Sequence, residues 1–266
     1  MYETTYHRPS SVDEAAAMFA KGSDSKYLAG GHTLLPVMKQ RLASPSDVID
    51  LGKIKDLIGI EPSGDGIAIK AATTHYDVAN SDTVKKAIPA LAYLASLIGD
   101  PAVRYRGTIG GSIANNDPAA DYPAAVLALS ATIKTNKRSI AADEFFKGLF
   151  TTALADGEII TAVSFPVQAK AGYSKFPNPA SRFALTGVFV AKTPAGDVRV
   201  AATGASQNGV MRVPAIEAAL KANWSAGALD SVTISTDGLL ADIHGSSAYR
   251  ANLIKVMAQR AVTAAG

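Results

Sequence analysis

The chain contains no cysteine in its 266 residues. Disulfides, thiolate zinc sites and an iron–sulfur cluster ligated by this chain are therefore excluded. The absence of cysteine fits any compartment and gives no redox address. Long apolar runs are also missing. The longest, around Ala124 to Ile133, follows Pro123 and is too short to cross a bilayer. The opening residues, Met1 to His7, have no apolar core of the secretory-signal kind, so a soluble, cytoplasmic protein is expected. Charge is nearly balanced, with 26 Lys and Arg against 23 Asp and Glu, a net +3. Without a sustained basic run, nucleic acid is not an implied partner; Lys85-Lys86 and Lys137-Arg138 read as solvated pairs. Neither Gly-x-Gly-x-x-Gly nor Gly-x-x-x-x-Gly-Lys occurs, which leaves Rossmann and P-loop readings unsupported. His7, His75 and His244 show no metal-ligand spacing and read as structural or surface residues.

What is present is a 48% share of hydrophobic residues, enough for a full core and two domains. Ser11-Val12-Asp13-Glu14 reads as a capping box opening a helix over 14–20. A short strand over 26–28 follows, then a helix with Pro36 in its first turn and a strand over 47–51. These form a small βαβ lobe, residues 1–52. In 53–166, Ile67 to Ala71 alternates as a strand, 76–81 and 88–99 read as helices, 124–129 as a buried helix, and 158–165 as a strand closed by Pro166. A boundary near 167–172 leads to strands over 183–192 and 198–203, turned at Pro194 to Asp197, and to amphipathic helices over 213–222 and 247–264.

Two glycine-rich segments carry the chemistry. The first is Leu28-Ala29-Gly30-Gly31-His32-Thr33-Leu34; the second is Thr108-Ile109-Gly110-Gly111-Ser112-Ile113-Ala114-Asn115-Asn116-Asp117-Pro118-Ala119-Ala120-Asp121. Paired glycines let backbone N–H groups approach a phosphate that a Cβ would push away. In each segment a hydroxyl residue follows the glycine pair, Thr33 in the first and Ser112 in the second, and the carboxylates Asp117 and Asp121 come after Ser112, as a dinucleotide gripped from both sides requires. Singly, each reads better as a tight turn; their joint occurrence with Asp121 reverses that. A branched side chain at Gly111 is expected both to oppose the backbone conformation and to occupy the phosphate's space.

Order, spacing and flanks of these segments resemble the two FAD-binding signatures of the molybdenum-hydroxylase flavoprotein subunit. That family includes the medium subunit of carbon monoxide dehydrogenase and the flavin domain of xanthine dehydrogenase. The similarity runs from Tyr6-His7-Arg8-Pro9 to the closing helix. It implies a mixed α+β and α/β fold: a two-lobed FAD-binding domain of the vanillyl-alcohol-oxidase-like (PCMH) type over 1–166, and a smaller α+β C-terminal flavoprotein domain over 167–266.

The resemblance also implies site roles. Leu28, Ala29, Gly30, Gly31, His32, Thr33 and Leu34, with Thr108, Gly111, Ser112, Ala114 and Asn115, clamp the pyrophosphate region. Asp121 accepts hydrogen bonds from sugar or ribityl hydroxyls. Asp117 is either a second such acceptor or a turn initiator before Pro118. Ile98 and Gly99 pass the isoalloxazine ring or are a core isoleucine and its C-cap glycine. Ile160 contacts FAD or fills the core. Lys175 lies near the pyrimidine edge of the flavin, and Phe183 supplies an apolar partner. Arg182 stands where relatives often carry aspartate; with Lys175 it would place two positive charges near the flavin, raising its potential and disfavouring NAD⁺ as acceptor. Some flavin oxidases of this broad fold bond a loop histidine covalently to the flavin. The family resembled here binds FAD without a covalent bond, leaving His32 to the pyrophosphate.

The implied activity is that of an oxidoreductase subunit with no acid–base catalytic residue of its own. A molybdenum cofactor on a large subunit oxidises the substrate, and 2Fe–2S clusters on a small subunit deliver electrons to FAD and an external acceptor. The implied assembly is a heterotrimer, paired as a dimer of heterotrimers. The residues alone leave two other readings open, an autonomous flavin oxidase or reductase and a non-enzymatic nucleotide-binding assembly module.

Overall fold

A computed structural model describes residues 1–266. The chain opens with β1 (Thr5–His7), α1 (Val12–Phe19), β2 (Ser25–Leu28), α2 (Leu34–Lys39) and β3 (Asp47–Asp50). The strands form a parallel sheet in the order β1-β3-β2. The cap of α1 is divided differently from a reciprocal box. The Ser11 hydroxyl accepts from the Glu14 amide at 3.2 Å, but the Glu14 carboxylate accepts from the Ser10 amide and hydroxyl, both at 2.7 Å.

Strands β4 (Ile60–Ser63) and β5 (Gly66–Lys70) come next. Helices α3 (His75–Asn80), α4 (Asp82–Ala87), α5 (Pro89–Ser96), α6 (Pro101–Arg104), α7 (Ile109–Asn115) and α8 (Tyr122–Ala128) follow. Short polar side chains start most of these helices by accepting an orphan amide: Thr74, Ser81, Asp100 and Thr108. The expected helix over 88–99 is shorter, because Leu97 to Gly99 leave it before Asp100 caps the next. Then come β6 (Thr132–Thr135), β7 (Ser139–Ala141), α9 (Ala142–Phe145), the small hairpin β8 (Phe146–Gly148) and β9 (Thr151–Thr152), and β10 (Ile160–Pro166). The second sheet runs β4-β5-β10-β6-β7, antiparallel throughout.

Strands β11 (Lys170–Pro177), β12 (Ala184–Lys192), β13 (Val198–Ser206) and β14 (Gly209–Arg212) make an antiparallel meander, completed by α10 (Pro214–Ala222) and α11 (Ser247–Ala265). The sequence reading has no strand between 166 and 183, yet β11 pairs with β12 over its whole length. The run Ala184 to Ala191 is buried on both faces. On one side, Ile254, Met257 and Ala258 of α11 pack on Val188, Val190 and Val200. On the other, Phe189 and Ala201 join the main core with Val126 and Leu129. That main core reaches from β5 and β10 through α5 and α8 to Tyr173. The C-terminal sheet is thus braced against the helices that carry the site.

Candidate FAD site

A cavity of about 680 Å³ opens where the two glycine segments meet. This is within the size range of cofactor pockets. In the first segment, Gly31 sits at φ +78, and any Cβ on Gly30 would collide with the backbone of Arg106 and Gly107. Glycine therefore allows the left-handed turn at one position and contact between the two segments at the other. The helix beyond begins with Leu35 N–H donating to Gly31 O and Val37 N–H to Thr33 O. The amides of Gly30, Gly31, His32, Thr33 and Leu34 donate to no protein acceptor. Successive amides without acceptors, ahead of a helix, form a concavity for an anion.

The second segment is built differently, and this corrects the expectation of a matching loop. Gly110 and Gly111 lie in the first turn of α7, and neither has the positive φ at which glycine is favoured. The amide of Ile109 donates to Thr73 O (3.2 Å), that of Gly110 to Ala71 O (2.9 Å) and that of Gly111 to the Thr108 hydroxyl (3.1 Å). A Cβ on Gly110 would lie 2.6 Å from Ala71 Cβ, and one on Gly107 2.5 Å from His75 Nε2. These glycines permit close packing. The polar groups left over are side chains: the Ser112 hydroxyl and the Asn115 amide line the cavity and make no hydrogen bond within the protein. Asn116, left-handed at φ 46, turns the other way and donates to Gly148 O and Thr151 O.

Asp117 and Asp121 both line the cavity. Asp117 Oδ1 accepts from the Ala119 amide at 2.9 Å, so the turn-initiating role is filled by one oxygen. Asp121 is buried; it accepts from Tyr173 Oη at 2.5 Å and Lys175 Nζ at 3.0 Å. Burial raises its carboxyl above the usual carboxylate range, and Lys175 and Tyr173 offset that only in part. Lys175 is the expected site residue that the structure places off the wall. Its side chain is 3% exposed, and its ammonium donates also to Leu97 O at 3.2 Å; the residue does not line the cavity. The expected pair of cations at the ligand is corrected accordingly: Lys175 is neutralised by Asp121, while Arg182 lines the wall. Arg182 is left-handed at φ 61 in the turn between β11 and β12 and helps hold the exposed Asp100 carboxyl low, after the Val103 amide.

The wall contains all the other expected residues: Leu28, Ala29, Gly30, Gly31, His32, Thr33, Leu34, Ile98, Gly99, Thr108, Gly111, Ser112, Ala114, Asn115, Asp117, Asp121, Ile160 and Phe183. Among the wall residues to which the sequence reading gave no site role are two titratable groups, His75 and Glu158. His75 is buried on the wall with its Nδ1 unpartnered. Burial first, then His32 and Arg104, push its pKa down to about 3, so the imidazole is neutral. The available signal was its place at the start of a Thr74-capped helix facing the second segment. Glu158 is held by Arg138, the Ala155 amide and Thr135, and its carboxyl is lowered to about 2. No cluster of three or more His, Asp or Glu side chains is arranged for a metal ion, and no helix is long and apolar enough to cross a membrane.

Amides without acceptors, a left-handed glycine, unpaired Ser112 and Asn115 and a buried carboxylate in one cavity fit a dinucleotide. Comparison with known proteins agrees. A family profile described as the FAD binding domain in molybdopterin dehydrogenase matches residues 2–168. The nicotine 6-hydroxylase medium subunit of Paenarthrobacter nicotinovorans is 36% identical, over 98% of this chain and 96% of its own. The carbon monoxide dehydrogenase medium chain of Afipia carboxidovorans is 34% identical over 97% and 94%. A solved Cu,Mo-CO dehydrogenase, in a cyanide-inactivated form, superposes with a TM-score of 0.88 at 32% identity over 100% of this chain and 98% of that one. The chain belongs to the family of FAD-binding medium subunits of molybdenum hydroxylases, and is thus an oxidoreductase component.

Proposed function

We propose that this chain holds one FAD without a covalent bond in the cavity between its glycine segments. In this reading it relays electrons from the iron–sulfur clusters of a small subunit to an external acceptor. The observation that carries the site assignment is the run of amides without acceptors from Gly30 to Leu34. They offer the pyrophosphate hydrogen bonds without a competing protein acceptor to displace. Ser112, Thr108 and Asn115 add side-chain donors, and Asp117 and Asp121 receive hydroxyls. Ile98, Gly99, Ile160 and Phe183 supply apolar surface for the rings and exclude water from them. FAD supplies the chemistry, accepting electrons singly or in pairs; the protein supplies position and electrostatics. Neutral His75 can donate or accept one hydrogen bond without adding charge.

Molybdenum on a large subunit, a dimer of heterotrimers and a cytoplasmic location complete the proposal. So does a division into an FAD-binding domain over 1–166, with lobes 1–52 and 53–166, and a C-terminal flavoprotein domain over 167–266. The zero cysteine count supports placing the clusters on another chain, and the family profile ending at residue 168 supports the division. Acid precipitation of the purified yellow complex tests the cofactor assignment. The colour is expected in the supernatant; colour retained in the pellet would instead make His32 a covalent attachment point. For the acceptor, Arg182→Asp is expected to lower the midpoint potential of bound FAD. An unchanged potential would remove Arg182 from the argument.

A further inference from the structure

Lys175 belongs to the C-terminal sheet, yet its partners belong to the cavity. Its ammonium donates to Asp121, on the wall, and to Leu97 O, the carbonyl before the wall residues Ile98 and Gly99. Tyr173, on the same face of β11, donates to the same carboxylate. Arg104 Nη1 completes the arrangement by donating to Ile98 O and Gly99 O, both at 3.0 Å. Successive carbonyls of the Leu97–Gly99 turn are thus each held by a cation, and Lys175 alone also holds the opposing carboxylate. Ion-pair side chains only 3% and 4% exposed pay a large desolvation cost, and apolar pairs of the same volume are often as stable. Stability is therefore a weak reason for a lysine here, whereas fixed geometry is a strong one.

We infer that Lys175 is a positioning residue that fixes Asp121 and the Leu97–Gly99 turn relative to each other, so that the C-terminal sheet sets the spacing of two cavity walls. The inference rests on the reading that this cavity takes FAD and that Asp121 contacts it. It assigns Lys175 no contact with FAD.

The test is a double-mutant cycle of Lys175→Met and Asp121→Asn. FAD affinity is measured by titrating FAD into the deflavinated complex, with the visible circular dichroism of bound FAD at saturation as a second readout. Each single substitution is expected to weaken FAD by about tenfold or more, and the pair to be coupled rather than additive. In the Asp121→Asn background, removing Lys175 should change affinity by less than about threefold. Should Lys175→Met alone fail to fold, this last comparison still decides, because Asp121→Asn leaves the Lys175 ammonium its bond to Leu97 O and the double variant buries no charge at either position. Lys175→Arg should restore the dichroism that Lys175→Met alters. A further tenfold loss on removing Lys175 when Asp121 is already neutral would overturn the inference and mean that Lys175 meets FAD directly. Wild-type affinity and dichroism in Lys175→Met would overturn it equally. Wild-type affinity in Asp121→Asn, with FAD still bound, would instead show that Asp121 does not contact FAD, and both this inference and the site reading of Asp121 would fall.

Discussion

Between Gly30 and Leu34 the backbone amides have no acceptor, whereas those of Ile109, Gly110 and Gly111 are already taken by Thr73, Ala71 and Thr108. Both stretches show a Gly-Gly pair followed by a hydroxyl residue, and in sequence they look like two copies of one device. In the fold the first is a turn whose amides are left without protein acceptors. The second is a helix start pressed against the end of β5, with glycine where any side chain would strike Ala71 or His75. A glycine pair can thus serve a ligand or serve packing, and the amide partners distinguish the two.

The largest effect should come from the packing side. Gly110→Ala puts a methyl against the backbone of Ala71, and forced overpacking of this kind costs ~1–3 kcal/mol. In a chain this long, ~2–4 °C of melting temperature accompanies each kcal/mol. The FAD-free protein should therefore melt about 5–10 °C lower. An unchanged midpoint in thermal unfolding would mean that α7 is free to move off β5, and the contrast between the segments would collapse.

Acid should reveal the same packing through His75, whose ring lies against Gly107. The folded imidazole stays neutral down to about 3, while its ordinary value is 6.5. Between these values the unfolded chain binds a proton that the folded chain refuses. This contribution is fully present above pH 6.5 and is lost as the pH falls, by ~1.4 kcal/mol per unit. Between pH 6.5 and 5, above the range where Glu158 titrates, wild type should lose roughly 2 kcal/mol more than His75→Gln in urea unfolding. Parallel losses would show that His75 is solvated.

Much of this was legible in the sequence and some was not, for identifiable reasons. The cavity wall could be anticipated because strand, glycines and helix start occur in order at the first segment, and glycines, a hydroxyl residue and carboxylates at the second; Ser11 likewise announces its cap. What each glycine is for could not be read, because the answer lies in Ala71, His75 and Arg106, distant in sequence. Lys175 was misplaced because 167–172 read as a boundary. Had β11 been seen as a strand, its period of two would have put Tyr173 and Lys175 on one face. A buried Asp121 needs such donors.

On the ligand side, Gly31→Ala should cost about 1 kcal/mol in the FAD-free protein, the usual penalty for a side chain in the left-handed region. Its effect on FAD should be larger than its effect on the fold, since relief of that strain would turn the successive amides away from one another. A titration giving wild-type affinity alongside the expected loss of stability would show that the anion does not use these amides.

The smallest effect on stability is expected at Gly111, the residue that shares features of both segments. It is helical, so alanine there gains ~0.5–1 kcal/mol of backbone entropy. Its Cβ would lie 3.0 Å from the Thr108 hydroxyl and 3.4 Å from Ala29 Cβ, close enough to offset part of that gain. Gly111→Ala should thus leave the unfolding midpoint of the FAD-free protein within ~0.5 kcal/mol of wild type. Valine presents a second branch to the cavity, because beyond its own helix only Thr108 Oγ1 and Ala29 Cβ lie within 4 Å of that Cβ position. It should abolish FAD binding through occupied space, without backbone strain, while circular dichroism of the folded chain is retained. If Gly111→Val instead retains FAD at wild-type affinity, the ligand does not pass between the two segments, and the second belongs to packing alone.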